Sequence, residues 1–299
     1  MLTGVAEASW ARNAGDELVA GLRAWALLGD GRRCETWLAW CERRWAPVAV
    51  KLPRPDQVND NARQALAREA AAVVPLAHSS IQRLLEARLD DPVPYLVFEY
   101  IEGPTLASLL DDTGALTPGD VVRLGLQVGA ALHYLHGLGI AHLDVKPQNL
   151  AVREGRAVLL DFDLARALGQ GDGAGSLRGS APYMAPEQVR REPASAAMDL
   201  FALGATLYEA ATDHLAFDAA GAPPYTRYPQ LAGPPAPIRS RNPRVPAALD
   251  RAITALLAPE PSGRPESVLA AMDLLAAALP KREKGLWPKW VRVAGTGRS

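Results

Sequence analysis

The sequence predicts an α+β protein built from two unequal parts. The first hundred residues read as short β-favouring runs separated by turn residues, with one helical stretch among them. Most of the remainder reads as helix, and Glu102-Gly103-Pro104 interrupts the chain between the two regions. With 299 residues and 48% hydrophobic content, the chain can bury a core in each part. This divides it into an N-terminal extension (1–20), a small strand-rich lobe with one helix (21–101), a larger, mainly helical lobe (102–280) and a tail (281–299).

The elements follow in order. Residues 22–28 lead into Gly29-Asp30-Gly31, then 36–40 and 47–52 continue the β-favouring pattern, which suggests a meander. The Ala-, Leu- and Arg-rich stretch 60–74 predicts a helix with Asp60 as its N-cap. Residues 81–89 and 94–99 read as two more strands. In the larger lobe Thr117-Pro118 opens a helix as a cap followed by proline. Residues 149–152 and 157–160, joined at Glu154-Gly155, read as a hairpin. The stretch 169–180 is Gly-rich and expected to be mobile, and 196–213 is an apolar helix. Residues 222–246 carry eight of the 25 prolines and are expected to be irregular, with helices near 246–257 and 265–279 to follow.

Composition narrows the function. A net charge of −1 gives no bulk reason to expect a nucleic-acid partner. Cys34 and Cys41 make neither a disulfide framework nor a metal set. No secretory leader and no 18-residue apolar run is evident, so the expectation is a soluble, cytoplasmic protein. The oligomeric state is not specified by these features. Basic residues are almost all arginine: only Lys51 and Lys146 precede position 281. Such a bias marks two places that call for a compact ammonium instead of a planar fork.

Both lysines fall in motifs. The stretch 142–149, HLDVKPQN, has His142, Asp144, Lys146, Pro147 and Asn149 in an order that resembles the catalytic loop of a protein kinase. Val48-Ala49-Val50-Lys51 is similar to that family's lysine strand, and Glu69, 18 residues on, to its partner on a helix. Leu28-Gly29-Asp30-Gly31 looks like the glycine-rich loop, and Asp161-Phe162-Asp163 looks like the metal-binding Asp-Phe-Gly. Gly179 to Glu187 (GSAPYMAPE) resembles the substrate-docking loop and Ala-Pro-Glu motif, Asp199 the start of a buried anchoring helix, and Arg264 the ion-pair partner of Glu187. Over about 20–280 the chain is similar to bacterial relatives of eukaryotic Ser/Thr protein kinases.

That resemblance implies a bilobal kinase-like fold and transfer of the γ-phosphate of ATP to Ser/Thr hydroxyls of a protein substrate. It implies that Asp144 acts as catalytic base, Lys146 steadies the phosphoryl group, and Lys51 with Glu69 holds the phosphates. Mg²⁺ would bind Asn149 and Asp161. Gly29, Asp30, Gly31, Ala49, Phe98, Glu99, Ile101 and Ala151 would surround the nucleotide. Val73, Leu84, His142 and Phe162 would form an apolar spine.

Four positions depart from the family: Cys34 at the third glycine, Thr36 for the usual Val, Asp163 for the last Gly of Asp-Phe-Gly, and Leu143 for the Arg before the catalytic Asp. The last makes this a non-RD sequence, unable to pair that residue with an activating phosphate on Ser176 or a neighbour. These departures leave a pseudokinase acting as a nucleotide-binding or scaffolding module as the alternative. A small-molecule kinase is opposed by Lys146-Pro147 and Pro186-Glu187. The tail 281–299 carries six Lys/Arg against Glu283, with Trp287 and Trp290, and could meet an acidic partner or an anionic membrane surface.

Overall fold

The computed structural model of the chain describes residues 9–171, 177–218 and 227–279. The chain divides after Glu102 into two compact units. The α+β class expected from the sequence is the one observed, with a strand-rich N-lobe and a helical C-lobe.

The N-lobe holds β1 (Glu17–Val19), β2 (Leu22–Asp30), β3 (Cys34–Cys41), β4 (Ala46–Pro53), α1 (Asp60–Val73), β5 (Leu84–Arg88) and β6 (Tyr95–Glu99). They form one antiparallel sheet in the order β1-β2-β3-β4-β6-β5. Residues 9–20, expected as an extension ahead of this lobe, supply its edge strand β1. The meander arises because β3 alternates strictly, burying Glu35, Trp37, Ala39 and Cys41 on one face. Trp37, Ala39, Val48, Val50, Leu52, Tyr95 and Val97 pack there with Leu22 and Ala24 as the core. The N-cap of α1 is Asn59, not Asp60: the Asn59 side chain accepts the Ala62 N–H. Asparagine and aspartate cap equally well, so composition alone does not choose between neighbours.

The C-lobe opens with α2 (Leu106–Thr113), then α3 (Pro118–Gly137), β7 (Ile140–Ala141), the hairpin β8 (Leu150–Arg153) and β9 (Arg156–Leu159), and β10 (Arg166–Ala167). Next come α4 (Pro186–Val189), α5 (Ala196–Thr212), α6 (Ile238–Arg241), α7 (Ala247–Leu256) and α8 (Val268–Ala277). Thr117 caps α3 as expected, accepting the Asp120 N–H. Helix α5 is buried on nearly every side, which fits its apolar sequence. Gly204 lets α7 approach closely, since a Cβ there would lie 2.7 Å from Leu256 Cβ. Only glycine fits at 103, where φ is +144° and a Cβ would lie 2.1 Å from the Val152 carbonyl oxygen. The following residues run along β8, with Val152 N donating to Pro104 O at 2.8 Å. The Gly-rich residues 172–176 and the tail lie outside the described residues.

Candidate active site

In the N-lobe, β4 places Lys51 opposite Thr36 and Leu96, and Ala49 opposite Leu38 and Phe98. Strand alternation puts Ala49 and Lys51 on one face while Val48, Val50 and Leu52 enter the core. Lys51 Nζ donates to Glu69 Oε1 at 2.8 Å, with side chains 12% and 1% exposed. The turn 29–34 is closed by Gly31 N donating to Cys34 O at 3.0 Å, with Arg32 and Arg33 exposed at its tip. A Cβ on Gly31 would sit 2.9 Å from that carbonyl, so glycine is needed there. Cys34 begins β3 in ordinary pairing with Pro53, which calls for no glycine. Phe98 and Ile101 are buried and Glu99 is half-buried at the end of this lobe; the Glu99 carboxylate accepts the Arg83 N–H at 2.9 Å.

In the C-lobe, the loop 142–149 is positioned from behind by Asp199 near the start of α5. Its Oδ2 accepts the His142 N–H at 2.8 Å and pairs with His136 Nε2 at 2.8 Å, and its Oδ1 accepts the Leu143 N–H at 2.7 Å. Burial alone would raise the Asp199 pKa, but His136, His142 and the Leu143 N–H outweigh it and hold the carboxyl below the usual range. Leu143 is buried in a left-handed conformation, φ +67°. Its carbonyl accepts Gln188 Nε2 at 2.9 Å, so both of its backbone groups are held by side chains. Such a backbone costs about 1–2 kcal/mol for a residue with a Cβ, which these bonds offset. The His142 ring meets Phe162 edge-on with centroids 4.8 Å apart.

Asp144 is the centre of a cluster. Its Oδ2 accepts Lys146 Nζ at 2.6 Å and Asn149 Nδ2 at 3.0 Å, and its Oδ1 accepts the Ser180 N–H at 3.3 Å. Lys146 Nζ also donates to Ser180 Oγ at 2.6 Å. The docking-loop serine therefore reaches the lysine through its hydroxyl and the aspartate through its backbone. Leu160 N donates to Asn149 O at 2.9 Å, extending the β8–β9 ladder so that Asp161 follows directly beyond Asn149. Asn149 commits its amide nitrogen to Asp144, which leaves Oδ1 as the atom suited to a hard cation. Asp161 is also left-handed, φ +58°. One carboxylate and one amide oxygen make a donor set that suits a hard divalent cation. Ala151 is buried on β8. Asp163 ion-pairs with Arg178 across the activation segment.

The docking loop is held equally firmly. Tyr183 Oη donates to Glu209 Oε2 at 2.5 Å; burial and this carboxylate push the phenol far above its ordinary range. Gln230 Nε2 donates to the carbonyls of Ala181 and Met184, each at 2.8 Å. Arg264 meets Glu187 bidentately at 2.5 and 2.9 Å, as the sequence suggested, and also donates to the carbonyls of Ala197, Ala258 and Pro259.

Residues 23–271 match the family described as "Protein kinase domain". The chain belongs to the protein kinase family. It is 36% identical over 228 residues to the probable serine/threonine-protein kinase PknB of Bifidobacterium longum, covering 70% of this chain and 33% of that protein. It is 32% identical over 255 residues to the serine/threonine-protein kinase PknB of Mycobacterium tuberculosis, covering 80% of this chain and 40% of that protein. The PknB of Mycolicibacterium smegmatis is 32% identical over 248 residues, with the same shares. The kinase chain thus spans between a third and two fifths of the length of these curated relatives. The family uses ATP, a divalent metal and protein substrates. Among the described residues of this kinase, no helix is long and apolar enough to cross a membrane.

Arg54, Arg178, Gln188 and Gln230 were not found by sequence reasoning. Each acts on backbone or charge at least 15 positions away.

Proposed function

We propose that this kinase transfers the γ-phosphate of ATP to Ser or Thr hydroxyls of a protein substrate. The observation that carries the reading is the Asp144 cluster. A carboxylate oriented by Lys146 and Asn149, with a docking-loop serine on the same ammonium, is suited to receive a hydroxyl proton. In this reading Asp144 orients the substrate hydroxyl and takes its proton, and Lys146 steadies the transferring phosphoryl oxygens. Lys51, kept in place by Glu69, holds the other phosphates, and Gly29, Asp30 and Gly31 cover them. Ala49, Phe98, Glu99, Ile101 and Ala151 line the nucleotide base. Asn149 and Asp161 would hold Mg²⁺, which would supply neutralisation of phosphate charge.

ATP supply and the lack of a disulfide at Cys34 and Cys41 favour the cytoplasm as the working compartment. The tail 281–299, net +5 with two tryptophans, suits an acidic partner or an anionic membrane surface. Truncation at Pro280 that changes neither activity nor vesicle binding would dismiss that role.

The test of the activity is incubation with labelled ATP and Mg²⁺, wild type beside Asp144→Asn, with phosphosites mapped by mass spectrometry. Incorporation on Ser or Thr by wild type alone is expected. Equal incorporation by the variant, or none by either protein, would overturn the reading.

A further inference from the structure

Glu35 is fully buried on the core face of β3, beside Trp37. A carboxylate there is costly unless it is hydrogen-bonded and paired. Its Oε2 accepts Trp37 Nε1 at 2.8 Å; its Oε1 accepts the Trp10 N–H at 3.3 Å and lies 3.7 Å from Arg54 Nη1. Arg54, 3% exposed, follows β4 and points its other donors into the turn 29–34. Its Nε donates to Gly31 O at 2.7 Å, its Nη2 pairs with Asp30, and its backbone N–H donates to Arg33 O at 2.9 Å.

Because a trans peptide is planar, fixing a carbonyl also aims the next N–H the opposite way. Holding the Gly31 carbonyl therefore aims the Arg32 N–H away from Arg54, and holding the Arg33 carbonyl does the same for Cys34. The same logic acts one step further back. Trp10 Nε1 donates to Pro53 O at 2.8 Å, fixing the peptide whose N–H is that of Arg54. An N-terminal tryptophan, a buried glutamate and one guanidinium thus set two peptide planes of a turn whose exposed tip has little packing of its own.

We propose that Arg54 is a positioning residue for the phosphate-covering turn, with Trp10 and Glu35 as its supports. The inference rests on the kinase reading for its purpose: amides aimed in advance lower the ordering cost of holding ATP phosphates. Its effect belongs on nucleotide affinity rather than on turnover.

The experiment compares wild type with Arg54→Met/Glu35→Gln, which removes both buried charges together, and with Trp10→Phe, which keeps an aromatic ring but loses the indole donor. Hydrogen exchange of the nucleotide-free proteins is read over 29–36, with α3 as internal control. KM for ATP and kcat are measured on the same samples. The double variant is expected to exchange about tenfold faster over 29–36 with α3 unchanged, and to raise KM for ATP about tenfold with kcat within about threefold. Trp10→Phe is expected to shift both readouts in the same direction by about two- to fivefold. Unchanged exchange over 29–36, or KM and kcat falling together with thermal stability, would overturn the proposal. If wild type neither binds nor turns over ATP, the kinase reading fails, while the exchange data still decide whether the clamp exists. Should the double variant not fold, Trp10→Phe alone carries the same two readouts.

Discussion

Arg178 ion-pairs with Asp163, fifteen residues earlier, in a position where the family carries a glycine. The extra carboxylate is therefore the anchor of an internal tie across the activation segment. With both side chains about a third exposed, such a pair is worth about 1 kcal/mol at most. Arg178→Ala is expected to lower kcat/KM for a protein substrate by about three- to fivefold while leaving KM for ATP unchanged. Phosphatase-treated wild type is expected to stay active. Activity that disappears on dephosphorylation and returns on phosphorylation of Ser176 would show that this tie does not replace a phosphate.

Leu143 lies among Leu164, Leu177 and Met198, with Arg166, Arg178 and Arg191 around the same pocket. Restoring the family's arginine there adds a buried cation beside three arginines, with Glu192 also on the lining. Leu143→Arg is expected to destabilise the protein by about 1–3 kcal/mol, without raising activity. A thermal melt beside a kinase assay checks both halves, and a more active, equally stable variant would contradict them.

Lys51→Met is expected to reduce phosphoryl transfer by at least about 10²-fold. It also leaves Glu69 buried without its ammonium, so a stability loss of about 3–5 kcal/mol should accompany it. Lys51→Met/Glu69→Gln should recover much of that stability and none of the activity. Asp161→Asn should lose activity to a similar degree with little change in melting temperature. Near-normal turnover in either single variant would remove these residues from the phosphate site.

Asp199 has a pH signature. Its folded-state pKa is depressed, so the stability it contributes is present above the ordinary carboxylate value of about 4 and disappears as pH falls through the lower folded-state value. Asp199→Asn should therefore be markedly less stable than wild type near neutrality, with the gap narrowing below about pH 4. Denaturant titrations across that range measure the gap; a constant difference would mean that the charge of Asp199 is not what holds the loop.

Much of this was legible because kinase chemistry uses residue types that local patterns reveal. Lysine is so scarce that Lys51 and Lys146 stood out, and each proves to donate to a carboxylate, Glu69 and Asp144. The strands of the meander and helix α3 were visible from turn residues, alternation and a Thr-Pro cap. Helix α2 was missed, since eight residues are too short a run for the helical spacing of Leu106, Leu109 and Leu110 to stand out. The supports of the site were missed for a different reason. Gln188, Gln230 and Arg54 act on carbonyls 45, 46 to 49 and 23 positions away, and no local pattern records a contact at that range. The opening residues were set aside as an extension because a three-residue strand and one tryptophan donor leave almost no trace in composition.

Helix α5 reaches two loops: Asp199 near its start holds the backbone at 142 and 143, and Glu209 near its end holds Tyr183. A loop whose path is dictated from the rear is free to vary the side chains it shows in front. At position 143 the bonds from Asp199 and Gln188 go to backbone atoms, so the chain's course past Asp144 does not depend on a charged side chain there. Support from the rear also predicts where variation is costly over evolutionary time: in the concealed residues of α5 more than in the loops they steer.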